Sequence, residues 1–107
     1  MTYGEFWKIY LQAHKKPGTR ALHFAGSFAA IVLALCAIIT LDWRFLIAAA
    51  VVGYAFAWTG HFAIERNRPA TFGHPFWSFF SDFRMLGLWC AGRLESHLSD
   101  AGLQRRG

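Results

Sequence analysis

Two uninterrupted apolar runs dominate the pattern of hydrophobic and polar positions. Ala21 to Leu41 is 21 residues long and Phe45 to Ile64 is 20, and neither holds an Asp, Glu, Lys or Arg. Both are apolar on every side, unlike the one-sided stripe of a half-exposed helix. As a helix each reaches about 30 Å, the thickness of a bilayer's hydrocarbon core. Only Asp42, Trp43 and Arg44 separate them. So short a link makes an antiparallel transmembrane hairpin with both termini on one side. Trp43 and Phe45 then fall where interfacial aromatic rings settle.

The flanks carry a different rhythm. Over residues 3–16, Tyr3, Phe6, Trp7, Tyr10, Leu11 and His14 recur at helical spacing, with Glu5, Lys8 and Gln12 opposite. Thr2-Tyr3-Gly4-Glu5 has the form of a capping box, and Pro17-Gly18 ends the helix. Such a helix is expected to lie in the membrane interface, aromatic side towards lipid. After a polar loop from Glu65 to His74, Pro75 suits the first turn of an amphipathic helix over 75–98. Phe76, Phe79, Phe80, Phe83 and Leu86 form its apolar stripe, and Asp82 and Arg84 argue against a third span. Residues 101–107 read as a frayed tail. The expected fold is an all-α membrane protein, one membrane domain over 1–107. It has transmembrane helices at 21–41 and 45–64 and interfacial helices at 3–16 and 75–98, on the cytoplasmic side.

Composition sharpens this. With 55% hydrophobic and 18% aromatic residues in 107 positions, a soluble monomer has too little interior to hide its apolar surface, and disorder is excluded. The net charge is +5, and ten of the eleven Lys and Arg residues lie on the terminal side of the hairpin, against Arg44 alone in the loop. The positive-inside rule therefore puts both termini in the cytoplasm, in the inner membrane if the source is bacterial. Basic residues that flank spans speak for membrane lipids as partners and against nucleic acid. The first twenty residues lack the apolar core of a cleavable signal peptide, so the first span is the expected insertion signal. Cys36 and Cys90 fall on different levels of the membrane and are not expected to pair.

The hairpin also predicts chemistry. His23 lies about twenty residues before the loop's centre and His61 about nineteen after it, so equal helical rise sets them at one depth, the cytoplasmic edge. Small residues lead to each: Ser27, Ala30 and Ala34 from His23, and Ala49, Gly53 and Ala57 to His61 and Glu65. Such stripes let helices approach closely, within the hairpin or between copies in a homo-oligomer. His14 can approach from the first helix. Ionisable groups at a membrane edge are functional candidates by default. His14, His23, His61 and Glu65 are ligand types for iron, zinc or manganese, and two His with a carboxylate is the arrangement of non-haem iron oxygenases. Asp82 is a candidate supporting partner or further ligand, His74 a helix cap, and His97 uninvolved. Two rival readings use the same residues: a non-catalytic, oligomerising hairpin with structural His, and a haem hairpin with His23 and His61 as axial ligands.

A resemblance narrows the choice. His14-x-x-Pro17-x-x-Arg20-x-Leu22-His23-Phe24-x-Gly26, followed by Trp58-x-Gly60-His61-Phe62-x-x-Glu65-x-Asn67-Arg68-Pro69-Ala70-Thr71-Phe72, closely resembles a family of small multi-pass membrane proteins. Its fungal member is an iron(II)-dependent dioxygenase of the endoplasmic reticulum, which performs α-oxidation of 2-hydroxy fatty acids in phytosphingosine breakdown. The likeness runs from about Phe6 to Met85, and this chain is of the short form, without the additional spans of the fungal enzyme. The resemblance implies an oxidoreductase of lipid metabolism using Fe(II), with O2 and a 2-hydroxy fatty acid as substrates. It gives His14, His23 and His61 a metal-binding role, with Glu65 following in the same motif. A 2-hydroxy acid chelates iron through its carboxylate and hydroxyl, and Arg20 and Arg68 would steer the carboxylate.

Overall fold

Thr2 starts the first helix. Its hydroxyl accepts from the Glu5 backbone N–H at 3.2 Å, and Glu5 Oε1 accepts in return from the Thr2 N–H at 2.7 Å. Two orphan donors of a helix start are thus satisfied reciprocally. This helix, α1, runs Tyr3–Gln12. In the computed structural model, which describes residues 1–103, it is followed by α2 (Pro17–Thr40) and α3 (Arg44–Thr59). The chain continues through a π-helical turn (Gly60–Glu65), a 3-10 turn (Ala70–Phe72), α4 (Pro75–Cys90) and α5 (Leu94–Asp100). No strand occurs among the described residues.

Helices α2 and α3 form the hairpin. Pro17 opens α2 at its first position, where its missing N–H costs nothing. At the loop, Leu41 takes a left-handed conformation (φ 57°) and the Asp42 carboxylate pairs with the Arg44 guanidinium at 2.8 Å. The two helices touch at their small residues: a Cβ on Gly26 would stand 2.8 Å from Phe56 Cβ and 3.1 Å from the Gly53 carbonyl oxygen. Both α2 and the segment Arg44–Glu65 are long and apolar enough to cross a membrane, and only 22% of each apolar window is buried within the protein. Phe28, Leu35, Ile38 and Ile39 all point outward.

The best-packed core lies beside the hairpin, not in it. Phe6, Trp7, Tyr10 and Leu11 of α1 pack on Met85 of α4, on Leu94 and Leu98 of α5, and on Ala101. This corrects the expectation that α1 lies on lipid: its aromatic face is covered by protein. Burying each such side chain is worth roughly 1.5–3 kcal/mol, reason enough for α4 and α5 to close over it. Helix α1 also stops at Gln12, a turn short of Lys16, because the chain must bend to enter α2 at Pro17.

The helix expected over 75–98 is divided. Gly92 adopts φ 73°, and the Arg93 N–H turns back to the Leu88 carbonyl at 2.8 Å, a left-handed C-terminal closure. Much of its expected apolar stripe faces outward, with Phe83 and Leu86 half-buried. Ser78, Ser81 and Met85 face inward, whereas Phe76, Phe79 and Phe80 are exposed. The small serines admit the aromatic rings of α1: Ser81 Oγ and the Tyr3 hydroxyl are 2.7 Å apart, and the Arg84 guanidinium lies 4.2 Å over the Trp7 ring. The start of the expected tail is packed too, since Ala101 is buried and its carbonyl accepts from Gln12 Nε2 at 2.9 Å. The rest of that tail, residues 104–107, lies outside the described residues.

Candidate metal centre

Three imidazoles from three elements meet where α1, α2 and the end of α3 converge. His14 sits on the bend between α1 and α2, and two bonds from Arg20 Nη1 hold that bend, to the carbonyls of His14 (2.7 Å) and Lys15 (2.9 Å). His23 lies two turns into α2. His61 lies in the π-helical turn, a widened winding that recurs at functional sites. Gly60 brings that turn against α2, where a Cβ would stand 3.1 Å from Thr19 Cγ2. The ring centroids are 4.3 Å (His14–His23), 4.4 Å (His14–His61) and 4.9 Å (His23–His61) apart, all close to perpendicular. One nitrogen of each lies within 4.8 Å of the others, and all three side chains are buried.

The outer nitrogens fix the chemistry of the inner ones. His14 Nδ1 is 2.6 Å from the Tyr10 carbonyl, and His23 Nδ1 is 3.1 Å from the Thr19 carbonyl. His61 Nδ1 is 2.8 Å from Asn67 Oδ1, whose identity as oxygen follows because Asn67 Nδ2 donates to the Ala13 carbonyl at 2.9 Å. Every partner is an acceptor, so each Nδ1 carries the hydrogen and each Nε2 a lone pair. The Nε2 atoms of His14 and His23 are 3.0 Å apart. Neither has a hydrogen to share, so that contact is repulsive unless a cation lies beside both. Two nitrogens each about 2.1 Å from one ion and at a right angle are separated by about this distance. The donor set therefore fits a divalent transition-metal ion. Three mutually touching rings leave no plane for a porphyrin, which removes the haem reading.

Burial sets the protonation of the groups around the site. Burial, and then the neighbouring His23 and His61, hold His14 well below the ordinary imidazole range. Asp82 approaches from α4, with Oδ1 3.9 Å from His23 Nε2. Because that nitrogen is a lone pair, this is a contact and not an ion pair. Burial raises the Asp82 carboxyl to about 7, opposed by the hydrogen bond it accepts from the Tyr10 hydroxyl. Burial and the Asp82 charge push the Tyr10 phenol upward in turn.

Among the described residues, the metal-capable group contains His14, His23 and His61, and Glu65 stands outside it. The Glu65 carboxylate accepts from the Lys16 backbone N–H at 2.5 Å. Helical spacing alone set it beside His61; in the structure the Lys16 N–H at the start of α2 takes its carboxylate instead. The two arginines expected at the substrate are engaged elsewhere: Arg20 on the bend, and Arg68 over the Phe72 ring at 5.1 Å. His74 occupies the cap position of α4 without a capping bond and stacks on Trp77. His97 has a role after all, accepting from Trp7 Nε1 at 3.1 Å and tying α5 to α1. Tyr10 and Asn67 were missed as site residues. Asn67 stood in the quoted motif, but its reach back to His61 depends on the left-handed turn at Arg66 (φ 60°).

The family described as 2-hydroxy-palmitic acid dioxygenase Mpo1-like matches residues 1–94. No curated protein and no solved structure matches the chain.

Proposed function

The chain belongs to the Mpo1-like family, and from that premise we propose that it is a membrane-embedded, iron(II)-dependent dioxygenase that shortens 2-hydroxy fatty acids by one carbon. The observation that carries the reading is the convergence of three Nε2 lone pairs, each fixed by an acceptor behind its ring. A merely structural histidine would have both nitrogens paired with hydrogen-bonding partners, so the non-catalytic hairpin is the poorer account. The small-residue faces invoked for oligomerisation are also occupied within the hairpin.

His14, His23 and His61 would hold the ion. Iron(II) held there would supply Lewis acidity toward the carboxylate and hydroxyl oxygens of a 2-hydroxy acid and the electrons that activate O2. The chain's own groups do the rest. Asp82 stands beside His23 as the acceptor for the substrate's 2-hydroxyl proton, and the Tyr10 hydroxyl orients its carboxylate. Arg20 keeps His14 in place by bracing its carbonyl. Burial of all three imidazoles excludes bulk water. The net reaction is closed: a 2-hydroxy acid and O2 give the acid one carbon shorter, CO2 and water. The C1–C2 bond breaks and four electrons pass to O2, so no external reductant is required.

The membrane setting has the same footing. Two long apolar helices with so little of their surface covered support a lipid surrounding. The charge bias supports a cytoplasmic side for the termini and the imidazole cluster. The test is O2 uptake by purified, iron-loaded protein with 2-hydroxypalmitic acid. A C15 acid and CO2 should form one-to-one with O2 consumed, and palmitic acid should support none. Absence of 2-hydroxy-acid-dependent uptake across several chain lengths overturns the proposal.

A further inference from the structure

A narrow groove leads away from the imidazole cluster between α2, α3 and α4. It begins at His23 and Asp82 and continues along Ala30, Gly53, Ala50 and Phe79, enclosing about 50 Å3. We infer that this groove seats the hydrocarbon chain of the substrate, which enters sideways from the bilayer. The inference rests on the dioxygenase reading above and adds to it where the chain lies and which chains are accepted.

Three features point to a single-chain amphiphile. Polarity is graded: a buried imidazole of the metal cluster and a carboxylate stand at one end, and no charged group lines the remainder. The width is set by alanine and glycine on two helices held tightly together, which admits one unbranched chain and no ring system. The far wall is open, since Ala50 of α3 and Phe79 of α4 are exposed. From His23 to Ala30 the groove follows α2 for about 10 Å. Carbons nearest the carboxyl therefore lie against protein, and the tail trails into lipid. Branching near the head should be rejected, whereas chain length beyond the groove should matter little. The outward phenyl stripe of α4 thereby acquires a use, with Phe79 serving as groove wall.

The experiment uses the full, iron-loaded chain in lipid nanodiscs without O2, so that binding is read without turnover. The probe is 2-hydroxypalmitic acid carrying a photoreactive diazirine within its first eight carbons, and adducts are mapped by mass spectrometry. Adducts should concentrate on groove residues of α2, α3 and α4. Ala50→Phe adds its bulk at an exposed position and leaves the helix contacts alone. It should cut adduct yield by about tenfold or more, the low end of steric discrimination in an apolar site. Adducts spread over the outward faces around Phe28 and Ile38, or an unchanged yield in Ala50→Phe, overturn the groove. Aerobic turnover separates the two claims. Turnover without groove adducts sinks this inference alone, and groove adducts without turnover support the groove while sinking the dioxygenase reading.

Discussion

Asn67 holds His61 from behind: its Oδ1 is 2.8 Å from Nδ1, and its own Nδ2 is committed to the Ala13 carbonyl at 2.9 Å. The amide cannot flip without facing N–H against N–H, so it locks both the tautomer of His61 and the position of the bend that carries His14. One side chain thus couples two of the three imidazoles.

Asn67→Ala should leave the hairpin intact and lower metal affinity by about 10–100-fold, the usual cost of removing a ligand's supporting partner. Metal titration of the purified variant reads this directly. Unchanged affinity would mean that His61 is not a ligand, or that its orientation is fixed by packing alone.

The two long apolar helices were legible because their signal is crude: length and absence of charge suffice. The common depth of His23 and His61 was legible for the same reason, since helical rise is constant. The packing of α1, α4 and α5 was not. The pattern of α4 offered a phenyl stripe and a serine stripe, and periodicity alone favours burying the phenyls. Only the aromatic face of α1, arriving from 70 or more residues away in sequence, makes the serines the better inner face. Glu65 is held away from the cluster by the backbone N–H of Lys16, a partner distant in sequence, and the approach of Asp82 to His23 depends on how α4 packs.

His14 gives a pH signature. Ligand imidazoles must be neutral, and burial holds His14 well below the ordinary value of 6.5. A depressed value means that protons begin to compete only at pH lower than that of an exposed histidine. Metal retention should therefore stay flat as pH falls from about 8 to about 6 and decline only below, whereas an exposed site starts to lose metal near 6.5. Retention measured by metal analysis after equilibration at each pH checks this, and a midpoint at or above 6.5 contradicts it.

Two carboxylates should behave oppositely. Glu65→Gln keeps an acceptor for the Lys16 N–H and lies outside the cluster. Metal content and turnover should change by no more than two- to threefold, the scale of substitutions away from a site. Asp82→Asn keeps its shape and a partner for Tyr10 but loses the proton acceptor. Turnover should fall by about 100-fold or more with metal retained. Loss of metal in Glu65→Gln would restore it as a ligand, and full turnover in Asp82→Asn would remove Asp82 from the chemistry.

The close approach of α2 to the π turn links packing to the site. A Cβ at Gly60 would meet Thr19 Cγ2 at 3.1 Å and the Thr19 Cα and carbonyl oxygen at 3.4 Å. Gly60→Ala must therefore push the turn off α2, and His61, the next residue, moves with it. Gly26→Ala faces a harder clash, 2.8 Å to Phe56 Cβ and 3.1 Å to the Gly53 carbonyl, but farther along the hairpin. Gly26→Ala should appear chiefly as lost stability, about 1–3 kcal/mol of overpacking. Gly60→Ala should appear chiefly as lost metal affinity. The two are told apart by thermal unfolding and metal titration on the same samples. A double variant makes the assignment specific. Thr19→Ser deletes the Cγ2 methyl and keeps the hydroxyl, so Thr19→Ser combined with Gly60→Ala should recover most of the affinity that Gly60→Ala loses. That recovery is a coupling between two residues in contact, the kind a double-mutant cycle isolates. Additive losses in the cycle would show that Gly60 is required for the π winding itself and not for its contact with Thr19.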